Sequence, residues 1–209
     1  MRMRKKPNLL PRMERVAHLR VTEETAPVGK WKTAFGSFDA LHLELGCGKG
    51  RFTRDTALTA PTTLHVALER VEDALVVAME RSQDLANTRF MSCDAVLLTK
   101  LFAPREVDRI YINFCDPWPG KKRAKRRLTH PNFLKLYREV LAPQGEIHFK
   151  TDNLPLFEYS LETFAECGFD VTEVTNDLHA SGVNGVLTDY EARFVEQGTR
   201  INRCVATVR

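Results

Sequence analysis

The chain has five cysteines, at 47, 93, 115, 167 and 204, and no C-x-x-C pair among them. An odd, scattered set of thiols excludes a zinc-type ligand spacing and a disulfide framework. It reads as reduced cysteines of a cytoplasmic protein that needs no metal. No apolar run approaches the roughly 20 residues that cross a bilayer, so no membrane partner is expected. The opening Met1-Arg2-Met3-Arg4-Lys5-Lys6-Pro7 is basic but lacks the apolar stretch of a secretory signal, which speaks against export. Internal repeats, low-complexity tracts and Pro/Gly/Ser linkers are also missing. At 209 residues the chain suits one buried domain better than two.

What is present is an ordinary globular composition, 43% hydrophobic and 28% charged. The net charge of +4 is modest, so its distribution carries more information than its sum. Six of the seven residues at 121–127 are Lys or Arg, and a second basic group lies in the first six positions. Such clusters neutralise phosphates, the main source of non-specific nucleic-acid affinity.

From about residue 40 the chain alternates β-rich runs with helical patterns. Residues 41–45, 64–68, 89–92, 108–114, 146–150, 169–174 and 204–208 read as seven strands. Residues 71–84, 132–141 and 155–166 carry apolar side chains at helical spacing, the last with Pro155 in its first turn and Gly168 after its end. This predicts an α/β, Rossmann-like fold, a mostly parallel seven-stranded sheet with helices on both faces. Residues 1–35 read as a basic arm with one short helix, and residues 36–209 as a single domain. Ligands of such sheets bind outside the carboxyl ends of the strands, so function is sought there.

The first strand runs into Glu44-Leu45-Gly46-Cys47-Gly48-Lys49-Gly50. Closely spaced glycines admit a ligand where any Cβ would collide, although glycine turns alone are a weak signal. The spacing is G-x-G-x-G, not the dinucleotide G-x-G-x-x-G, and an acid precedes it. Glu44 suits the ammonium of a methionine moiety. Glu69 ends the next strand, 19 residues after Gly50, where a carboxylate accepts ribose hydroxyls. Asp94 follows the third strand and suits an adenine amino group. Three acids at successive strand ends favour S-adenosylmethionine over NAD.

The fourth strand leads into Cys115-Asp116-Pro117-Trp118-Pro119, a loop stiffened by two proline rings, and then into the basic run. An aromatic beside a basic run suits stacking and phosphate contact with a splayed RNA base. Cys115 reads as a buried inert thiol. The six histidines are scattered and read as structural.

These motifs resemble the bacterial tRNA (guanine-N7-)-methyltransferase family, which modifies the variable-loop guanine at tRNA position 46. The resemblance rests on Glu44-Leu45-Gly46-x-Gly48-x-Gly50, Glu69, Asn113-Phe114-x-Asp116-Pro117-Trp118-Pro119, Lys125-Arg126-Arg127-Leu128-Thr129, Phe149-Lys150-Thr151-Asp152-Asn153 and Thr188-Asp189-Tyr190-Glu191. It spans nearly the whole chain, and the D-P-W-P and K-R-R-L pair is its most specific part. It implies a class I methyltransferase fold using S-adenosylmethionine, with tRNA as partner, acting as monomer or homodimer. Glu44, Gly46, Gly48, Glu69, Asp94 and Asp116 are the implied cofactor contacts. Lys121, Asp152, Thr188, Asp189, Tyr190 and Glu191 are the implied substrate contacts, and Asp116 is the catalytic candidate. One position departs: Gly120 follows D-P-W-P where the family has lysine, leaving Lys121 as the nearest replacement.

Guanine N7 carries an in-plane lone pair and needs no deprotonation, so an in-line transfer requires neither nucleophile nor metal. Asp116, Asp152 and Glu191 are expected to stabilise the cationic ring. The long segment at 178–190 is expected to order over the guanosine. An NAD-dependent oxidoreductase on the same sheet, or an RNA-binding module without catalysis, are the competing readings.

Overall fold

The computed structural model describes residues 6–209. Seven strands form one sheet: β1 (Ala40–Leu45), β2 (Thr63–Leu68), β3 (Thr88–Met91), β4 (Val107–Asn113), β5 (Leu141–Thr151), β6 (Phe169–Thr175) and β7 (Asn202–Val208). Their spatial order is β3-β2-β1-β4-β5-β7-β6. The first five run parallel, and β7 is inserted antiparallel between β5 and β6. The order reverses between β1 and β4, so the carboxyl ends of these two strands open the crevice where ligands of such sheets bind.

The helices are α1 (Leu9–Arg15), α2 (Trp31–Ala34), α3 (Arg51–Thr59), α4 (Glu72–Arg81), α5 (Leu98–Leu101), α6 (Pro131–Val140), α7 (Leu154–Glu166) and α8 (Asp189–Glu196). Local chemistry sets their ends. The Asn153 side chain accepts from the Leu156 amide at 2.9 Å to cap α7, with Pro155 in its first turn. Thr188 and Glu191 form a reciprocal capping box on α8.

Alternation along the strands divides the sheet. Leu41, Leu43, Leu45, Ile110, Ile112, Ile147 and Phe149 point to one face and pack with Leu134 and Tyr137 of α6 and Phe157 and Phe164 of α7. The opposite face carries His42, Glu44, His65, Arg109, Tyr111, Asn113, Glu146, His148 and Lys150, paired across neighbouring strands. Helix α3 lies over it, with Phe52 edge-on to Tyr111 at 4.9 Å.

Two departures from the sequence expectation stand out. Strand β5 begins at Leu141, five residues before 146, because Pro143-Gln144-Gly145 is carried through an irregular register against β4. Helix α3 was not anticipated; its buried residues are Phe52, Thr53, Thr56 and Ala57, which show no apolar period. Residues 8–35 hold α1, a 3-10 turn at Ala17–Leu19 and α2, packed against the domain. Met13, Val16 and Leu19 join Leu75, Met79 and Phe90 in a second core cluster. Trp31 is fully buried, stacked on Phe102 at 5.2 Å, and its indole donates to the Leu101 carbonyl at 2.8 Å.

Candidate active site

The glycine turn is built onto the end of β2. Gly46 and Cys47 donate their amides to the Leu68 carbonyl at 2.8 and 3.1 Å. The next residue, Glu69, accepts from the Gly48 amide at 3.0 Å and from the Val71 amide at 2.9 Å. One carboxylate therefore fixes both the turn and the entry to α4. Gly50 has φ +75, and a Cβ there would meet the Ala78 Cβ at 2.5 Å, so glycine is required for α4 to pack. Cβ atoms at Gly46 and Gly48 would meet nothing within 4 Å, so this side of the turn faces open space.

Glu44 lies beneath the turn and is 5% exposed. It accepts from the Thr53 hydroxyl of α3 and from Asn113 Nδ2 of β4, the latter at 3.2 Å. Burial pushes its pKa up, opposed by those two hydrogen bonds. Asn113 Oδ1 is buried and has no partner among the described residues. Asp94 caps a 3-10 turn through the Val96 amide at 3.1 Å and pairs with Arg70 at 2.9 Å.

After β4 the chain makes a constrained bend. Phe114 and Trp118 take φ +53 and +42, a left-handed conformation uncommon for side-chain-bearing residues. Arg127 holds the bend, donating to the carbonyls of Pro117 at 3.0 Å and Trp118 at 3.3 Å. Its guanidinium also lies 4.3 Å from the Tyr159 ring centroid. The last arginine of the basic run is thus a structural staple, while Lys121–Arg126 form an exposed 3-10 segment. Arg126 sits over the Trp118 ring at 4.9 Å. Asp116 and Asp152 are exposed, each just beyond the carboxyl end of its strand. The Cys115 thiol beside Asp116 is pushed up to about 12 by burial, which keeps it un-ionised.

The four consecutive positions at 188–191 diverge. Thr188 turns inward as the cap of α8. Glu191 is fully buried, accepting from Lys150 Nζ at 2.6 Å and meeting His179 Nε2 at 3.1 Å. Burial lowers the Lys150 pKa, against the pull of Glu191. Asp189 pairs with Arg81 at 2.7 Å, and Tyr190 projects outward, 59% exposed. A cavity of about 290 Å³ lies under this loop, lined by Phe52, Tyr111, His148, Lys150, Val186 and Arg203.

The fold therefore gathers Glu44, Gly46, Gly48, Glu69, Asp94, Asp116 and Asp152 along the carboxyl edge of β1 to β5. Lys121 stands on the exposed basic segment. Sequence reasoning missed Thr53 and Arg81, and took Asn113 only as part of a motif. The alternation of polar residues at 109, 111 and 113 along β4 was the signal available for Asn113.

A family model described as "Putative methyltransferase" matches residues 39–204. Among solved structures, the aminoglycoside resistance methyltransferase NpmB1 superposes with TM-score 0.61 at 16% identity, covering 84% of this chain and 90% of that one. The 16S rRNA (adenine(1408)-N(1))-methyltransferase from Catenulisporales acidiphilia gives 0.58 at 16% identity, covering 85% and 91%. The Haemonchus contortus phosphoethanolamine N-methyltransferase 2, solved with S-adenosyl-L-methionine, gives 0.55 at 15% identity, covering 82% of this chain and 49% of that one. At these identities the likeness is one of fold, the class I methyltransferase sheet.

Proposed function

This chain belongs to the methyltransferase family whose model spans most of it, and on that premise we propose that it methylates RNA, transferring the methyl group of S-adenosylmethionine to N7 of the variable-loop guanine of tRNA. The observation that carries the reading is the open glycine turn ringed by Glu69, Asp94 and Asp116, with the unpartnered Asn113 Oδ1 buried beside Glu44.

These residues fit the cofactor. Asn113 Oδ1 and Glu44 offer acceptors for an ammonium, and the open side of Gly46 and Gly48 admits the methionyl backbone. Both Glu69 oxygens already accept one amide each, and a carboxylate has lone pairs left for ribose hydroxyls. Asp94, beside its bonds to Arg70 and the Val96 amide, keeps lone pairs that suit an adenine amino group. When bound, the cofactor supplies a sulfonium-activated methyl group.

The chain's own task is then positioning. Asp116, on the constrained bend held by Arg127, and Asp152 would face the bound methyl donor from the ends of β4 and β5. Their carboxylates stabilise the positive charge that the purine acquires as N7 attacks. Holding N7 at near-attack distance accounts for the larger part of the acceleration. Tyr190 offers a face for stacking the guanine, and Lys121 with the neighbouring basic residues contacts the phosphates. Glu191 supports this arrangement from beneath, through Lys150. The reading places the enzyme in the cytoplasm.

The test is transfer of labelled methyl groups to tRNA transcripts carrying guanine or adenine at the variable-loop position, with ribosomal RNA as a third substrate. The expected result is labelling of the guanine transcript alone, with strand scission after reduction and aniline treatment. Equal labelling of both transcripts, or preference for ribosomal RNA, would overturn the assignment.

A further inference from the structure

Arg81 closes α4 and reaches in two directions. Its Nη1 donates to the backbone carbonyl of Lys49, inside the glycine turn, at 3.1 Å. The same nitrogen donates to the Asp189 carboxylate, in the first turn of α8, at 2.7 Å. The end of α4 is itself pinned to α3, because Arg54 donates to the Arg81 carbonyl and, at 2.5 and 3.0 Å, to both oxygens of Asp84.

Arg81 and Asp189 are 37% and 34% exposed, and pairs so exposed contribute little to global stability. With Arg51, Arg54 and Asp55 they border an open cavity of about 380 Å³, so water reaches the contact and it can part without unfolding anything. What the contact does accomplish is connection. It ties the turn on which the cofactor would seat to a segment more than one hundred residues later in the chain, 108 by count from Arg81 to Asp189.

Building on the methyltransferase reading above, we propose that Arg81 is a positioning residue that couples cofactor binding at the glycine turn to the placement of the 188–191 segment. Asp189 acts through Arg81 and does not touch the guanosine. A ligand resting on Gly46 and Gly48 restricts the turn and the Lys49 carbonyl with it. Arg81 then holds Asp189 in register, and the adjacent Tyr190 is presented to the base. Because such coupling is reciprocal, RNA binding tightens cofactor binding by the same factor, about 5-fold or more.

The experiment uses the full chain with S-adenosylhomocysteine as probe. Calorimetry measures its Kd, and hydrogen exchange follows the amides of residues 186–192 with and without it. In the unmodified protein the probe binds and slows exchange there. Arg81→Met and Asp189→Asn each bind the probe within about 3-fold of the unmodified protein but lose the slowing, and Arg81→Lys restores part of it. Slowing that persists in both Arg81→Met and Asp189→Asn overturns the coupling, as does binding to the unmodified protein with no change at 186–192. If the unmodified protein fails to bind the probe, the cofactor reading falls first, and the coupling with it.

Discussion

The two faces of the central sheet are built from the same strands and solve opposite problems. One face, with Leu43, Ile112, Ile147 and Phe149, is closed by α6 and α7 mainly through apolar contacts. The other carries a row of rings, His65, His42, Tyr111 and His148, in edge-to-face contact at 5.4 to 5.7 Å across four strands. It also buries Glu44 and the Lys150–Glu191 pair. Apolar burial is tolerant of small shape changes, whereas each buried polar group must find its partner in place. The polar face thus trades stability for fixed directions at the strand ends, where the proposed site lies.

Substitutions on each face separate the two roles. Phe149→Ala should cost about 3–5 kcal/mol of stability and lower the Tm by roughly 10 °C in calorimetry. Below that temperature its affinity for S-adenosylhomocysteine should hold; a matching loss of affinity would show that the apolar face shapes the site directly.

On the polar face, Glu191→Leu leaves the buried Lys150 ammonium without a counter-charge, bonded only to the Val186 carbonyl, and should cost about 3–5 kcal/mol in urea unfolding. The double change Lys150→Met/Glu191→Leu should recover most of it. A double variant as unstable as the single would place the loss in the α8 cap instead.

At the strand edge, Asp116→Ala should lower kcat by about 10²–10³-fold with little change in Tm. An unchanged kcat would remove Asp116 from the chemistry.

The polar face also predicts a pH dependence. Burial depresses the His42 pKa to about 3 and the His65 pKa to about 4. Both are neutral in the fold, and the unfolded chain takes up protons first as pH falls. Stability is therefore complete above about pH 6.5 and declines below it, by about 1.4 kcal/mol per pH unit for each histidine until its folded pKa is reached. Unfolding midpoints from pH 7 to pH 4.5 should show the decline, and His42→Gln should flatten it. An unaltered slope would assign the acid sensitivity to other groups.

The strands were legible because buried parallel strands are near-continuous apolar runs; β2 is buried at every position. Helix α3 was not, because it covers the polar face and so presents Thr53 and Thr56 where an amphipathic helix would present leucines. Glu44, Glu69, Asp94 and Asp116 could be picked out from their places after strands. Their partners could not: nothing in the sequence says that Thr53 and Asn113 bind Glu44, or that Arg127 leaves the basic run to staple the D-P-W-P bend.

The divergence at 188–191 marks where sequence and tertiary structure part. The sequence by itself determined the sheet, the strand ends at which function gathers, and the acids placed there. Those features are written in residue type and in a period of two along the chain. Only the tertiary structure decided that Glu191 turns under to Lys150, Asp189 sideways to Arg81 and Tyr190 out to solvent. In a helix each residue points about 100° from the last, and which direction is inward depends on what the rest of the chain has packed against it.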